Sequence, residues 1–197
     1  DDEQGRMPSY VFTKDNTTVS VTKYGGYLSY MMRNRDVPTR SMTALETVNE
    51  GKKYLEMLGI NHITYTYYEI NGNVCTINFA ATENDITMYT DLIKVSVAMD
   101  NGDILAFDGR GYITNHTKRD LSEPKITAEQ ARKKISSELT VTDTSLAVVP
   151  SSGTNELYCY EFSCTSPDGR QMLIYINADR ITAPVSTYGK NTLNIRI

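Results

Sequence analysis

Few residues in this 197-residue chain have the type and spacing to do covalent chemistry. Two histidines, His62 and His116, fall in loop-like segments far apart, and neither has a Cys, Asp or Glu at ligand spacing. A metal site needs clustered ligands, so a surface or capping role is predicted for both. The three cysteines, Cys75, Cys159 and Cys164, lack a CxxC spacing, and an odd count fits neither a zinc site nor a disulfide framework. Cys159 and Cys164 lie on one strand pattern at an odd spacing, so they point to opposite faces and cannot pair. Cys75 is in phase with Ile77 and Phe79 and reads as a small core residue. The carboxylate pairs Asp85/Asp91 and Asp100/Asp103 flank turns, where Asp is favoured for local backbone hydrogen bonds. A catalytic acid–base pair belongs instead in a concave, partly buried site. Asp100-Asn101-Gly102-Asp103 starts like a calcium loop, but the twelve-residue pattern closing on Glu is missing. No GxSxG, HExxH, GxGxxG or phosphate-loop pattern occurs. The expectation is a protein that is not an enzyme and that uses no cofactor and no metal.

Bulk properties narrow the partners. The net charge is −4 and no Lys/Arg-rich run occurs, which argues against nucleic acid and against an anionic membrane surface. No stretch of about 18 apolar residues is present, and no signal-peptide pattern is visible. The chain opens on Asp1-Asp2-Glu3 without a Met, which reads as a fragment whose upstream portion has been removed. Tyrosine dominates the aromatics, with 14 Tyr against 4 Phe and no Trp. Tyr suits half-buried strands and binding surfaces alike.

The elements that must position these residues recur. A β-alternating run, a turn and a second short run occur at 19–28, 95–104 and 174–181. Aligning Val21, Val97 and Ile176 gives spacings of 97 − 21 = 76 and 176 − 97 = 79, which points to duplicated units. Asn101-Gly102, and likewise Gly25-Gly26, can supply the positive φ angles of a tight two-residue turn, while Asp179-Arg180 lacks a glycine and predicts a less regular one. Thr43-x-x-Glu46 predicts a capping box opening a helix, with Leu45, Val48, Leu55 and Leu58 on one face and Gly59 as its stop. Thr127 and Gln130 open a second helix with the stripe Ala128, Ala131, Ile135, Leu139. Strands follow each helix, so the predicted class is α+β, each unit a helix packed on an antiparallel sheet. Proline-marked polar segments divide the chain into 1–38 (strands only), 39–120 and 121–197. The first of these lacks a helix and is expected to borrow packing from its neighbour or from a second chain, as a homodimer would supply. In the strand at 64–70, Tyr65 and Tyr67 are expected on one face and Tyr68 and Ile70 on the other. One face is core. The other is either a tyrosine patch for a protein partner or is covered by the next repeat.

Several stretches resemble the YpeB family of spore germination proteins, in consistent order along nearly the whole chain. These are Lys23-Tyr24-Gly25-Gly26-Tyr27 followed by Asn34-Arg35, Ile93 to Gly102, Ile126 to Lys134, Leu157 to Phe162, and Ile174 to Ala178. The departure is the missing glycine after Asp179. The resemblance implies tandem PepSY-type repeats, with 1–38 a partial repeat. It implies a non-catalytic, extracytoplasmic protein at the outer face of the spore inner membrane or cortex, anchored by an N-terminal segment absent here. It implies a role in binding and stabilising or restraining a cortex-lytic enzyme of the SleB type until germination. The alternatives are a direct binder of cortex peptidoglycan and a generic PepSY inhibitor of secreted enzymes. The candidate partner-binding residues are Tyr65, Tyr67, Tyr68, Asn34 and Arg35.

Overall fold

The computed structural model describes residues 2–3, 7–152 and 155–189. Its elements run β1 (Asp2–Glu3), β2 (Ser9–Lys14), β3 (Thr17–Thr22), β4 (Leu28–Arg33), α1 (Ala44–Met57), β5 (Ile63–Asn71), β6 (Val74–Glu83), β7 (Ile86–Ala98), β8 (Ile104–Asp108), α2 (Arg110–Asn115), α3 (Ala128–Arg132), β9 (Thr140–Pro150), β10 (Glu156–Thr165), β11 (Gln171–Asn177) and β12 (Ser186–Gly189). The fold is sheet-dominated α+β. It divides into two compact units, Asp1–Ala81 with Asp91–His116, and Thr82–Thr90 with Thr117–Ile197.

In the first unit the strand order is β1-β2-β3-β4-β8-β7-β6-β5, with β5 at an edge. The helix α1 starts on the predicted capping box. Thr43 Oγ1 accepts from the Glu46 N–H at 3.3 Å, and the Thr43 N–H donates to Glu46 Oε2 at 2.7 Å, so two orphan helix donors are satisfied reciprocally. Gly59 closes the helix at φ +77°, as a C-terminal left-handed residue should. The buried face of α1 is Thr47, Val48, Gly51 and Leu55, so Val48 and Leu55 of the predicted stripe are buried and its two end residues are not. Leu45 is exposed and Leu58 sits half out at the C-cap. The glycine decides the difference, because the Phe79 ring lies 3.2 Å from where a Gly51 Cβ would be. The helix therefore rolls Gly51 onto Phe79, and Leu45 turns outward. The core beneath comprises Val48, Leu55, Cys75, Ile77, Phe79, Val95, Val97 and Phe107, among others.

The second unit is the meander β9-β10-β11-β12 with the start of β7 alongside, Thr87 and Met88 pairing in parallel with Ala147 and Val148 of β9. Its helix is shorter than the sequence pattern predicts. The capping box of Thr127 and Gln130 forms, but α3 ends at Arg132. Lys134 and Ile135 donate to the carbonyls of Ala131 and Arg132, which tightens the chain into turns, and the Ser136 hydroxyl takes the Glu138 N–H at 3.3 Å. Serine side chains compete for backbone groups in this way and end helices. Ile135 and Leu139 still reach the core of Phe162, Ile174 and Ile176, from turns.

Turn chemistry also departs from the prediction. The β7–β8 connection is not a two-residue turn at Asn101-Gly102 but a four-residue loop from Met99 to Gly102, closed by Gly102 N–H to Ala98 O and Ala98 N–H to Asp103 O, both at 2.9 Å. Only Gly102 needs a positive φ, +83°. Gly25 and Gly26 do take positive φ, +81° and +66°, but inside the longer β3–β4 loop closed by Thr22 N–H to Tyr27 O at 2.8 Å, whereas Asn84-Asp85, at +49° and +62° between β6 and β7, pairs two positive angles in a two-residue turn, as primed hairpin turns require.

Candidate partner-binding surface

Residues opposite one another on paired strands share a sheet face. In the first unit the pairings link Phe12, Val19, Met31, Phe107 and Val95 into one row, and Tyr10, Val21 and Leu28 into another. Both rows lie on the face that α1 covers, since Val95, Phe107 and Met31 belong to its core. The cover does not reach the β2 end. A 14-residue helix is about 21 Å long, whereas eight strands at about 4.8 Å span some 34 Å. Along one row, exposure rises from 2% at Phe107 to 60% at Phe12. Tyr10, Tyr24 and Tyr27 are exposed at the same end. The patch is rimmed by cations. Lys14 shares the face of Tyr10 and Phe12 and pairs through Thr17 with Arg33, and the Lys23 ammonium lies 5.1 Å from the Tyr10 ring centroid.

At the other edge of the unit, β5 does not alternate as expected. The register shifts between Tyr65 and Tyr67, so Tyr65 faces Phe79 and Tyr67 faces Asn78. The extra residue, Thr66, is a β-bulge. It places Tyr65 and Tyr68 together on the α1 side and turns Tyr67 to the opposite face, where the strict alternation had grouped Tyr65 with Tyr67. Tyr65 and Tyr68 are 47% and 45% exposed. Burial is the main cause of a raised Tyr67 phenol pKa, with the charge of Glu69 adding to it. The exposed tyrosines and the aromatic patch on β2 thus flank α1 on one face.

Asn34 is exposed, and its N–H donates to the Asn16 carbonyl at 2.8 Å. Arg35 is occupied within the chain. Its Nη1 and Nη2 donate to Asp100 Oδ2 and Oδ1 at 2.8 and 2.7 Å, and Nη2 also donates to Asn101 Oδ1 at 2.6 Å. The guanidinium fills the acidic β7–β8 turn, whose sequence starts like a calcium loop but lacks the rest of that pattern. Its hydrogen bonds are the main reason that the Asp100 carboxyl is held below the usual range. A depressed carboxylate pKa stabilises above the unfolded value and ceases to do so as pH falls through the folded one. Arg35→Ala should therefore return the Asp100 titration toward an ordinary aspartate and speed amide exchange at 99–103. An NMR titration that leaves Asp100 unchanged would reject this tie.

Two features escaped the sequence. His116 Nδ1 lies 2.8 Å from Oδ2 of Asp91, a fully buried carboxylate, and its ring stacks on Tyr112 at 4.3 Å. In the second unit, Arg119 is 7% exposed and forks onto Glu156, Nε to Oε2 at 2.7 Å and Nη2 to Oε1 at 2.6 Å, with Nη2 also reaching Thr90 Oγ1 at 3.0 Å. Their partners are 25 to 37 residues away, and no local pattern marks them. The cysteines are all buried and unpaired, and burial, with Asp179 adding to it, pushes the Cys159 thiol up to about 12. Such thiols are not nucleophiles at neutral pH. Among the described residues no group of three or more His, Cys, Asp or Glu is placed to hold a metal ion, and no helix is long and apolar enough to cross a membrane.

Comparison with known proteins now bears on this architecture. Residues 2–122 match the family model described as YpeB sporulation, PepSY1 and PepSY2 domains, and residues 125–179 match the peptidase propeptide and YPEB domain. Sporulation protein YpeB of Halalkalibacterium halodurans is 29% identical over 161 residues, 82% of this chain and 36% of that protein. The Bacillus subtilis protein of the same name is 28% identical over 162 residues, 81% and 36% respectively. The chain thus spans little more than a third of the length of these curated relatives. The Bacillus megaterium YpeB C-terminal domain superposes with a TM-score of 0.83 at 23% identity, covering 94% of this chain and 86% of that one, which shows a shared fold. The chain belongs to the YpeB sporulation protein family.

Proposed function

We propose that this chain is a non-catalytic binding module that holds and stabilises, or restrains, a spore cortex-lytic enzyme of the SleB type on the extracytoplasmic side of the spore membrane. Family membership supports the setting, and the exposed aromatic surface around α1 supports the mode. Tyr10 and Phe12 on one side and Tyr65 and Tyr68 on the other supply large rigid contacts, with a cationic rim at the β2 end. Aromatic anchors dominate binding energy at protein interfaces. The unit plan is read as tandem repeats, a helix followed by four strands, in α1 with β5–β8 and α3 with β9–β12. Strands β1–β4 then form a repeat without its helix, and the spacings of Val21, Val97 and Ile176 support the duplication. The aromatic patch is the face that such a missing helix leaves bare.

Calorimetry of this chain with the purified enzyme, paired with enzyme activity on cortex, tests the reading. Saturable binding is expected. The pair Tyr10→Ser and Phe12→Ser should weaken it by at least about 2 kcal/mol, while leaving the far-UV spectrum unchanged because both side chains are already exposed. Lost activity on binding means restraint, and retained activity means stabilisation. Binding by the double variant equal to the native chain would remove the surface from the proposal, and no binding by either would remove the partner.

A further inference from the structure

The sheet face turned away from α1 in the first unit carries an open depression of about 410 Å³, lined by Tyr30, Met32, Thr76, Lys94, Ser96, Ala106, Asp108 and Arg110. Tyr30, Asp108 and Lys94 face one another across β4, β8 and β7. Their chain neighbours Met31, Phe107 and Val95 lie in the core on the other side. Antiparallel sheets commonly leave such a face to solvent, but this one is not neutral. Arg110 donates from Nε and Nη2 to Asp108 at 2.9 and 2.7 Å and places its guanidinium 5.5 Å over the Tyr30 ring. Burial opposes ionisation of Asp108, yet the hydrogen bonds from Arg110 outweigh it and keep its pKa below the usual range. Lys94 acts on Asp108 from farther off. Two cations against one carboxylate leave the depression positive on a chain whose net charge is −4.

The occupant follows from what the depression offers. Its strands β4, β8 and β7 are interior, with backbone pairing on both sides, so an extended peptide finds no edge to join and gains none of the main-chain bonds of strand addition. A ligand here is held by side chains alone. Those are an aromatic ring, a thioether, the Lys94 ammonium (Arg110 being held on Asp108) and two hydroxyls, Thr76 and Ser96, which lie 2.9 Å apart and keep spare hydrogen-bonding capacity. A sugar ring with a carboxylate matches that set. We propose that this depression is a binding site for a carboxylate-bearing sugar of a glycan strand. Lys94 holds the carboxylate, the ring lies against Tyr30 and Met32, and the ring hydroxyls meet Thr76 and Ser96. The site is separate from the aromatic surface on the α1 face, and its success or failure leaves that surface untouched.

Titration of this chain by NMR with N-acetylglucosaminyl-N-acetylmuramic acid, carrying a free carboxylate, tests the site. Saturable shifts at Lys94, Ser96 and Ala106 are expected, with the carboxamide form of the same disaccharide about tenfold weaker, the worth of one charge-assisted hydrogen bond. Lys94→Gln should lose the same factor, while Lys52→Gln, on exposed α1, should not. Equal binding of acid and amide overturns the proposal, as does the absence of shifts up to roughly 10 mM. Displacement of the sugar by a Glu-rich hexapeptide at equal concentration also overturns it, making this a peptide site.

Discussion

Phe107→Ala is expected to destabilise the first unit by about 3–5 kcal/mol, whereas Phe12→Ala should cost no more than about 0.5 kcal/mol. The two phenylalanines occupy one cross-strand row of one sheet face. They differ in what lies above them. Phe107 meets Tyr54 of α1 edge to face, with centroids 5.9 Å apart, and is 2% exposed. Truncating it forfeits its transfer energy, its ring contact and the packing of the surrounding core, and it leaves a cavity that Val95 and Met31 cannot fill. Phe12 is 60% exposed and already pays for most of its contact with water. Urea unfolding should show the Phe107 variant with a midpoint roughly 1–2 M lower. Amide exchange in β4, β7 and β8 separates loss in the first unit from loss in the second, because a chain of two units need not unfold in one step. Equal effects of the two substitutions would mean that α1 does not define the core as described.

Glu156→Ala is expected to destabilise the second unit by roughly 3 kcal/mol, the second-largest effect. The substitution removes the counter-charge from a guanidinium that is 7% exposed and leaves it neutral acceptors such as Thr90 Oγ1 and the Thr117 carbonyl, and a buried cation without its counter-charge is costly. Arg119→Met should cost less, since the carboxylate left behind is more exposed than the guanidinium and can turn to water. The double variant Arg119→Met with Glu156→Leu should recover most of the loss, because desolvation had offset much of the gain from the pair. The pair also sets a pH window. Hydrogen bonds from Arg119 are the main reason that Glu156 titrates below an ordinary glutamate. Its contribution is therefore complete above the unfolded value, about 4.3, and is lost as pH falls through the lower folded value. Acid unfolding of the second unit should lose that component in the Arg119→Met variant. A double-mutant cycle with no coupling, or an acid profile unchanged by Arg119→Met, would show that the fork contributes nothing.

The residues that work through near neighbours were legible in the sequence. Thr43 with Glu46 and Thr127 with Gln130 cap helices, Gly59 stops one, and strand alternation places Cys75, Ile77 and Phe79 in a core. These depend on contacts within four residues or on a period of two, which composition and spacing express directly. The family resemblance was legible for the same reason, since its motifs are local runs. Other features required the fold. The bulge at Thr66 regrouped the tyrosines, because one inserted residue reverses every side chain beyond it and leaves no compositional mark. Gly51 chose the buried face of α1 through Phe79, a residue on another element. Arg35 was expected to be available to a partner and instead spans 65 residues to Asp100.

Sequence by itself determined the helix caps, the strand alternation of the core and the family, because each is written in short-range periodicity and capping. Tertiary structure alone decided which aromatic residues face water. Exposure depends on where one helix of finite length comes to rest on a sheet wider than itself, and no residue carries that information locally.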